Sequence, residues 1–189
     1  MEESKIKILS VFSSFRQDSF SSFLHNSFLE NKYFLSGSID RIYLAEENIN
    51  FCTACGVCAT GKCCIATDSM TAIYDKIADA DILTVSFPVY FSTVPAQLKV
   101  MIDRCQFFWE KMRRGEKIKS KKAMLVCTSG KNYDGVFDSS VKTIKHFFKT
   151  INADYLEKYS VFIHSTDTFD EFKKSEAAHN LKHLSLEFD

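Results

Sequence analysis

The sequence predicts an α/β domain built on a five-stranded parallel sheet with helices on both faces, and three observations lead there. Short β-rich apolar runs alternate with longer stretches whose apolar residues recur at helical spacing. No internal repeat, linker or break in composition divides residues 1–189, which read as a single domain. The unusual residues collect in the loops after the first, third and fourth strands. Strands alternating with helices imply right-handed βαβ units, and hence a parallel sheet covered on both sides.

Lys5 to Phe12 (KIKILSVF) is the first strand, and a helix begins at about Asp18 with Phe20, Phe23, Leu24 and Phe28 on one face. Ile39 to Leu44 is the second strand. Met70, Ile73, Ile77 and Ala80 mark a helix that Asp68 or Ser69 can cap, and Asp81 to Phe87 (DILTVSF) is the third strand. Val94, Leu98, Ile102, Cys105, Trp109 and Met112 keep helical spacing and predict one helix. Ala123 to Thr128 (AMLVCT) is the fourth strand, and Val141, Ile144, Phe147, Phe148 and Ile151 form the next helical face. Tyr159 to Ile163 is the fifth strand, and a last helix begins at about Asp170. Rossmann-like and flavodoxin-like windings both satisfy this alternation. In the second, strands one and three flank the switch point where ligands bind, and the three unusual loops meet on one edge.

The chain carries 24 basic and 24 acidic side chains, 46% hydrophobic residues, 6 Gly and 2 Pro. At this length a domain buries roughly 70% of its unfolded surface, and the composition excludes collagen-like, low-complexity and largely disordered classes. Zero net charge gives no general attraction to polyanions, so neither nucleic acid nor a membrane surface is an expected partner. Glu2 and Glu3 stand where a signal peptide carries its positive region, and no run approaches the roughly 20 apolar residues of a membrane span. The expected location is the cytoplasm. Of seven cysteines, five lie between Cys52 and Cys64. In a reducing compartment such crowding reads as metal or redox chemistry before a disulfide scaffold.

The loop after the first strand offers hydroxyls at Ser13, Ser14, Ser19 and Ser21, the Arg16 guanidinium and a helix N-terminus. Those are the donors and the compensating charge that a phosphate monoester needs. A plain Ser-rich helix start has the same composition. Ser14-Phe-Arg-Gln-Asp-Ser-Phe-Ser21 resembles the G-S-x-R-x-x-S loop of the NADPH-dependent FMN reductase family, with Ser13 where that family usually has Gly. The resemblance implies a flavodoxin-like fold of strand order 2-1-3-4-5, with FMN phosphate bound by Ser14, Arg16, Ser19, Phe20 and Ser21. Ser13 can still donate to phosphate.

The loop after the third strand, Ser86-Phe-Pro-Val-Tyr-Phe91, runs into Val94-Pro-Ala-Gln-Leu-Lys-Val-Met-Ile-Asp-Arg104. Pro88 stiffens the turn, which frees nearby amides to face a planar heterocycle while Tyr90 or Phe91 covers it. The segment is similar to the family's S-x-P-x-Y loop with its K-x-x-x-D-R helix, which implies that Pro88, Val89, Tyr90 and Phe91 bracket the isoalloxazine. Lys99, Asp103 and Arg104 read as structural or interface charges. Thr128-Ser129-Gly130, after the fourth strand, resembles the family's third flavin loop, Gly130 permitting close backbone approach. The likeness spans about residues 5 to 135.

The cysteine segment is Cys52-Thr-Ala-Cys55-Gly-Val-Cys58-Ala-Thr-Gly-Lys-Cys63-Cys64. Thiolates this close suit an iron-sulfur cluster, a tetrahedral zinc or redox-active thiols. The segment looks like the compact C-x2-C-x2-C-xn-C motif of iron-sulfur flavoproteins, a branch of the same superfamily, with Asp68 and Met70 matching the residues that follow it. That likeness implies a 4Fe-4S cluster on Cys52, Cys55, Cys58 and Cys63, able to split a hydride into single electrons for a one-electron partner. Cys105 and Cys127 sit at core positions.

Between Lys111 and Lys122 lie Lys111, Arg113, Arg114, Lys117, Lys119, Lys121 and Lys122 against the one acid Glu116, which reads as a solvated helix end and loop before a nucleotide 2′-phosphate site. His179 and His183, spaced i, i+4, read as an exposed face before a metal pair. The family likeness implies an oxidoreductase that takes hydride from NADH or NADPH at FMN and passes electrons to a quinone, free flavin, another small acceptor or a redox protein. Flavin supplies the chemistry, so no catalytic acid, base or nucleophile is expected of the protein. A non-catalytic electron carrier, and a zinc-stabilised module that has lost FMN, are the competing readings. The 18 Phe, 7 Tyr and single Trp exceed what one core requires and predict a subunit interface in a homodimer or homotetramer.

Overall fold

A computed structural model describes residues 5–16 and 18–166. Strands β1 (Lys7–Phe12), β2 (Ser38–Tyr43), β3 (Ile82–Pro88), β4 (Lys121–Thr128), β5 (Ala153–Tyr155) and β6 (Val161–Ile163) form one sheet in which every pairing is parallel. Its order is β2-β1-β3-β4-β5, with β6 also paired to β4. That is the flavodoxin-like winding. The place expected of one fifth strand is divided between two. Residues 153–155 lie against 121–123 and residues 161–163 against 126–128. Between them Leu125 N donates to Ser160 Oγ at 3.0 Å, so a serine side chain carries on a ladder that the backbone leaves. Three-residue strands have no periodicity to read, and β5 was therefore invisible in the sequence.

The helices are α1 (Phe20–Leu29), α2 (Lys32–Leu35), α3 (Met70–Asp79), α4 (Ala96–Arg104), α5 (Gln106–Arg113) and α6 (Asp138–Thr150). Successive strand residues point to opposite faces. Ile8, Phe12, Ile82, Met124 and Val126 pack under Leu24 and Phe28 of α1. Leu9, Val11, Leu83, Val85, Phe87 and Leu125 pack on the other face under residues of α3, α4, α5 and α6. Cys105 and Cys127 belong to that second core, and burial pushes both thiols up.

The α1 face is interrupted by a polar seam. His25, Ser10, Thr84 and Ser86 are all buried, with His25 Nδ1 2.9 Å from Ser86 Oγ and Nε2 2.7 Å from Thr84 Oγ1. Thr84 Oγ1 donates to Ser10 Oγ at 2.9 Å. Burial, helped by the charge of Arg41, lowers the imidazole to about 3 and keeps it neutral.

One expectation changes here and another is narrowed. The helical run from Val94 to Met112 breaks at Cys105, whose amide reaches both Met101 O and Ile102 O while its carbonyl accepts from Phe108 N. The break turns Phe107 and Phe108 inward against Tyr74, at ring distances of 4.9 and 6.0 Å, and leaves Trp109 exposed. Of the two caps offered for α3, Asp68 provides the bond, its Oδ1 accepting from Met70 N at 3.0 Å, while Ser69 Oγ accepts from Asn48 N. The helix expected from about Asp170, and with it His179 and His183, lies outside the described residues. No helix among the described residues is long and apolar enough to cross a membrane.

Candidate functional site

Because the strands are parallel, the loops that follow β1, β3 and β4 leave the sheet from the same edge. Backbone bonds lock them together. Ser13 N donates to Ser86 O at 3.0 Å, Val89 N to Thr128 O at 2.7 Å, and Ser129 N to Ile163 O at 2.8 Å. Ser13 Oγ donates to Ser86 O as well, at 2.9 Å, so this hydroxyl ties β1 to β3 and is not offered to a phosphate. A glycine at that position could not make the tie.

In the β1–α1 loop, Ser14 Oγ accepts from Arg16 N at 3.2 Å, and Ser19 caps α1 by accepting from Ser22 N. Ser19 Oγ also bonds Ser22 Oγ at 2.9 Å and lies 3.2 Å from Ser21 Oγ. Ser14, Ser19, Phe20 and Ser21 are buried and Arg16 is exposed. The result is a cluster of oriented hydroxyls at the positive end of a ten-residue helix, with the exposed Arg16 beside it. Gln97, unmarked in the sequence, enters from α4. Its Nε2 donates to Ser13 O at 2.5 Å, and its Oε1 is buried with no partner among the described residues. An orphaned acceptor beside this loop suits the hydroxyls of a polyol chain.

After Pro88 and Val89 the chain makes a tight hairpin turn. Tyr90 and Thr93 exchange backbone hydrogen bonds at 3.0 Å around Phe91 at φ 49° and Ser92 at φ 62°. Two consecutive left-handed residues define a type I′ turn, usually filled by Asn-Gly. For other residues this region costs about 1–2 kcal/mol each. Phe91 is nevertheless fully exposed, so intramolecular packing does not explain its presence. Ser92 Oγ lies 2.7 Å from Tyr133 OH, which binds the turn to the loop after β4. There Thr128 and Ser129 are buried, Ser129 Oγ donates to Lys131 O at 2.9 Å, and Gly130 is exposed. Phe91→Asn should keep the turn and raise stability by about 0.5–1 kcal/mol, since Asn tolerates the left-handed region. A urea melt checks it.

The cysteine segment joins β2 to α3 and encloses a separate cavity of about 570 Å³. Cys52, Cys55, Cys58 and Cys64 line it, together with Arg104 and Glu110; Cys63 is exposed and is not among the lining residues. All seven cysteines are free. Burial, then the Glu110 carboxylate, push the Cys58 thiol up. Among the described residues no three His, Cys, Asp or Glu side chains converge on a point that would hold a metal ion.

Of the charges read as structural or interface ones, Arg104 is a buried structural charge. It pairs with Asp68, both side chains nearly wholly buried, through Nη1 to Oδ2 at 2.6 Å and Nη2 to Oδ1 at 3.3 Å. Burial opposes both charges, but the mutual bond, joined at Asp68 by the amides of Asn50 and Met70, holds the carboxyl below its usual range and the guanidinium above. Lys99 and Asp103 form the exposed pair expected of them, at 2.7 Å. In the basic segment Arg113, Arg114, Lys119 and Lys122 each meet an acid, respectively Glu110, Glu116, Asp81 and Asp154. Lys121 departs from the expected solvated loop. It is buried with Nζ on the carbonyls of Lys119 and Ile151, and burial lowers it to about 8.

The family model described as NADPH-dependent FMN reductase matches residues 6–167. Among curated proteins, an iron-sulfur flavoprotein of Methanosarcina thermophila is 40% identical over 65 residues, 34% of this chain and 34% of that one. One of Methanocaldococcus jannaschii is 31% identical over 107 residues, 57% of this chain and 53% of the relative. The chain thus aligns with about a third to a half of the length of these relatives. Among solved structures, an NAD(P)H:quinone oxidoreductase from Methanothermobacter marburgensis superposes with a TM-score of 0.69 at 15% identity, covering 98% of this chain and 99% of the other. At that identity the likeness is one of fold.

Proposed function

The chain belongs to the NADPH-dependent FMN reductase family, and on that premise we propose that it binds FMN at the carboxyl edge of the sheet and acts as an NAD(P)H-dependent flavin oxidoreductase. The observation that carries this reading is the locked set of three loops after β1, β3 and β4, with buried hydroxyls at one end and an exposed, strained aromatic turn at the other. In it Ser14, Arg16, Ser19 and Ser21, with the amide of Phe20, hold the phosphate. Pro88, Val89, Tyr90 and Phe91 bracket the ring, and Thr128, Ser129 and Gly130 form its third boundary. Bound FMN supplies hydride acceptance and electron release. The protein binds, orients and shields, and no side chain is assigned a proton transfer.

The electrons pass to a quinone, a flavin, another small acceptor or a redox protein. The cysteine cavity supports an iron-sulfur cluster held by Cys52, Cys55, Cys58 and, in the place expected of Cys63, Cys64. Exposed Phe51, Trp109 and Tyr133 support a homodimer or homotetramer.

Anaerobic purification followed by absorption spectroscopy and stopped-flow mixing tests the reading. Flavin bands that bleach rapidly on adding NADH or NADPH are the expected result. Flavin that stays oxidised under either nucleotide would mean a carrier with no turnover of its own, and a colourless protein indifferent to added FMN would sink the assignment. Arg16→Ala should weaken FMN by about 10- to 100-fold, the worth of one charge-assisted hydrogen bond of about 1.5–3 kcal/mol, while leaving the melting temperature of the flavin-free protein unchanged.

A further inference from the structure

Resting on the iron-sulfur reading of the cysteine cavity, we infer that Arg104 is the positioning residue of that site: it holds Cys64 Sγ at the cavity wall and raises the reduction potential of the group bound there. Arg104 ends α4 and is 3% exposed. Its Nη1 donates to Asn50 O at 2.8 Å as well as to Asp68, and its Nη2 reaches Cys64 Sγ at 3.4 Å as well as Asp68. Asn50 lies two residues before Cys52 and Asp68 four residues after Cys64. One guanidinium therefore grips the entry and the exit of the cysteine segment.

The grip is itself braced. Asp68 Oδ2 accepts from Asn50 N at 2.9 Å and from Asn50 Nδ2 at 3.2 Å, while Tyr74 OH donates to Arg104 O at 2.9 Å. Arg104 Nε is buried with no partner among the described residues, which leaves one N–H for an acceptor that the described residues do not supply.

The electrostatics follow from the geometry. A fixed cation donating a hydrogen bond to a ligand sulfur favours the more negative, reduced state of a cluster, and hydrogen bonds to sulfur together with net charge are what set cluster potentials. Lysine cannot reproduce the arrangement, because a point donor does not fork to a carboxylate and a sulfur at once. A purely structural ion pair would change stability and leave the potential where it was.

The test compares the wild type, Arg104→Lys, and Arg104→Gln paired with Asp68→Asn so that no buried charge is orphaned. Each is purified and reconstituted anaerobically with iron and sulfide, analysed for both, and titrated potentiometrically with the cluster followed by absorption and electron paramagnetic resonance. The paired variant should retain iron and sulfide while its reduced-to-oxidised ratio at the wild-type midpoint falls by about tenfold, which is about 59 mV for a one-electron couple. Arg104→Lys should recover part of that shift. Iron retained with an unmoved midpoint would overturn the inference and leave the cluster reading standing; a wild type that takes up no iron would overturn both. Should the paired variant not fold, Arg104→Lys decides alone, an unmoved midpoint again counting against the inference. Iron-free protein gives a readout independent of the cluster. Iodoacetamide labelling of Cys64 should differ severalfold between the wild type and Arg104→Lys while that of Cys63 stays the same, and unchanged Cys64 labelling would refute the positioning role.

Discussion

Replacing Arg104 with alanine is expected to destabilise the fold by about 3–5 kcal/mol, measured as a drop in the urea midpoint of flavin-free protein. The loss comes less from the bond than from what stays behind. Asp68 has no exposed side-chain surface, and without the guanidinium its carboxylate keeps only neutral donors, the amide groups of Asn50 and the backbone amide of Met70. A buried charge left unpaired costs more than the pair contributed. Arg104→Met with Asp68→Leu, which removes both charges at similar volume, should therefore regain most of the stability that Arg104→Ala loses. The sign with pH is fixed by the direction of the Asp68 shift. Its carboxyl lies below the usual range in the folded protein, so the pair stabilises above the ordinary carboxylate pKa and fades as the pH falls through the folded value. In Arg104→Ala that acid limb should shrink, because the cation which held the carboxyl down is gone.

How far the sequence disclosed this molecule depends on which kind of signal each residue leaves. The alternation of strands and helices was plain in β1, β3, β4 and α6, because each is long enough for its apolar residues to declare a period. Strand order became legible only through the loops, since Ser14-Phe-Arg and Ser86-Phe-Pro-Val-Tyr carry composition that periodicity does not. The break at Cys105 left no mark, having neither Pro nor Gly. It arises from where Phe107 and Phe108 must pack, which is decided by Tyr74 on another helix. The exposure of Cys63 and the place of Cys64 on the cavity wall were equally hidden, for two adjacent residues on an irregular loop differ only in which way the backbone turns. Gln97, Arg104 and His25 were obscure for one common reason. Each is a polar residue whose role lies in partners far along the chain, 59, 84 and 54 positions away at Thr84, Ser13 and Asn50.

His25 gives the second large effect. Lowering the pH from 7 to 5 should cost the wild type about 2 kcal/mol through this one residue, from the ordinary histidine value near 6.5 and the relation of about 1.4 kcal/mol per unit. The sign runs opposite to that of a histidine held by a carboxylate. Burial lowers the folded value to about 3, so only the unfolded chain takes up the proton between those two limits, and stability present above 6.5 drains away as the pH falls. His25→Gln, which keeps hydrogen-bonding groups but cannot titrate, should start less stable at pH 7 by about 1 kcal/mol and lose correspondingly less by pH 5. Carboxylates elsewhere titrate alike in both proteins, so the difference between their urea midpoints isolates the imidazole. Equal acid slopes would show that the seam opens to water before it protonates. A second consequence separates this from generic acid unfolding. Ser86 bonds His25 through its hydroxyl and both Ser13 groups through its carbonyl. With the imidazole neutral in the folded protein down to about 3, that tie is unchanged between pH 7 and 5, so the flavin affinity of the folded wild type should hold constant over this range while its stability falls.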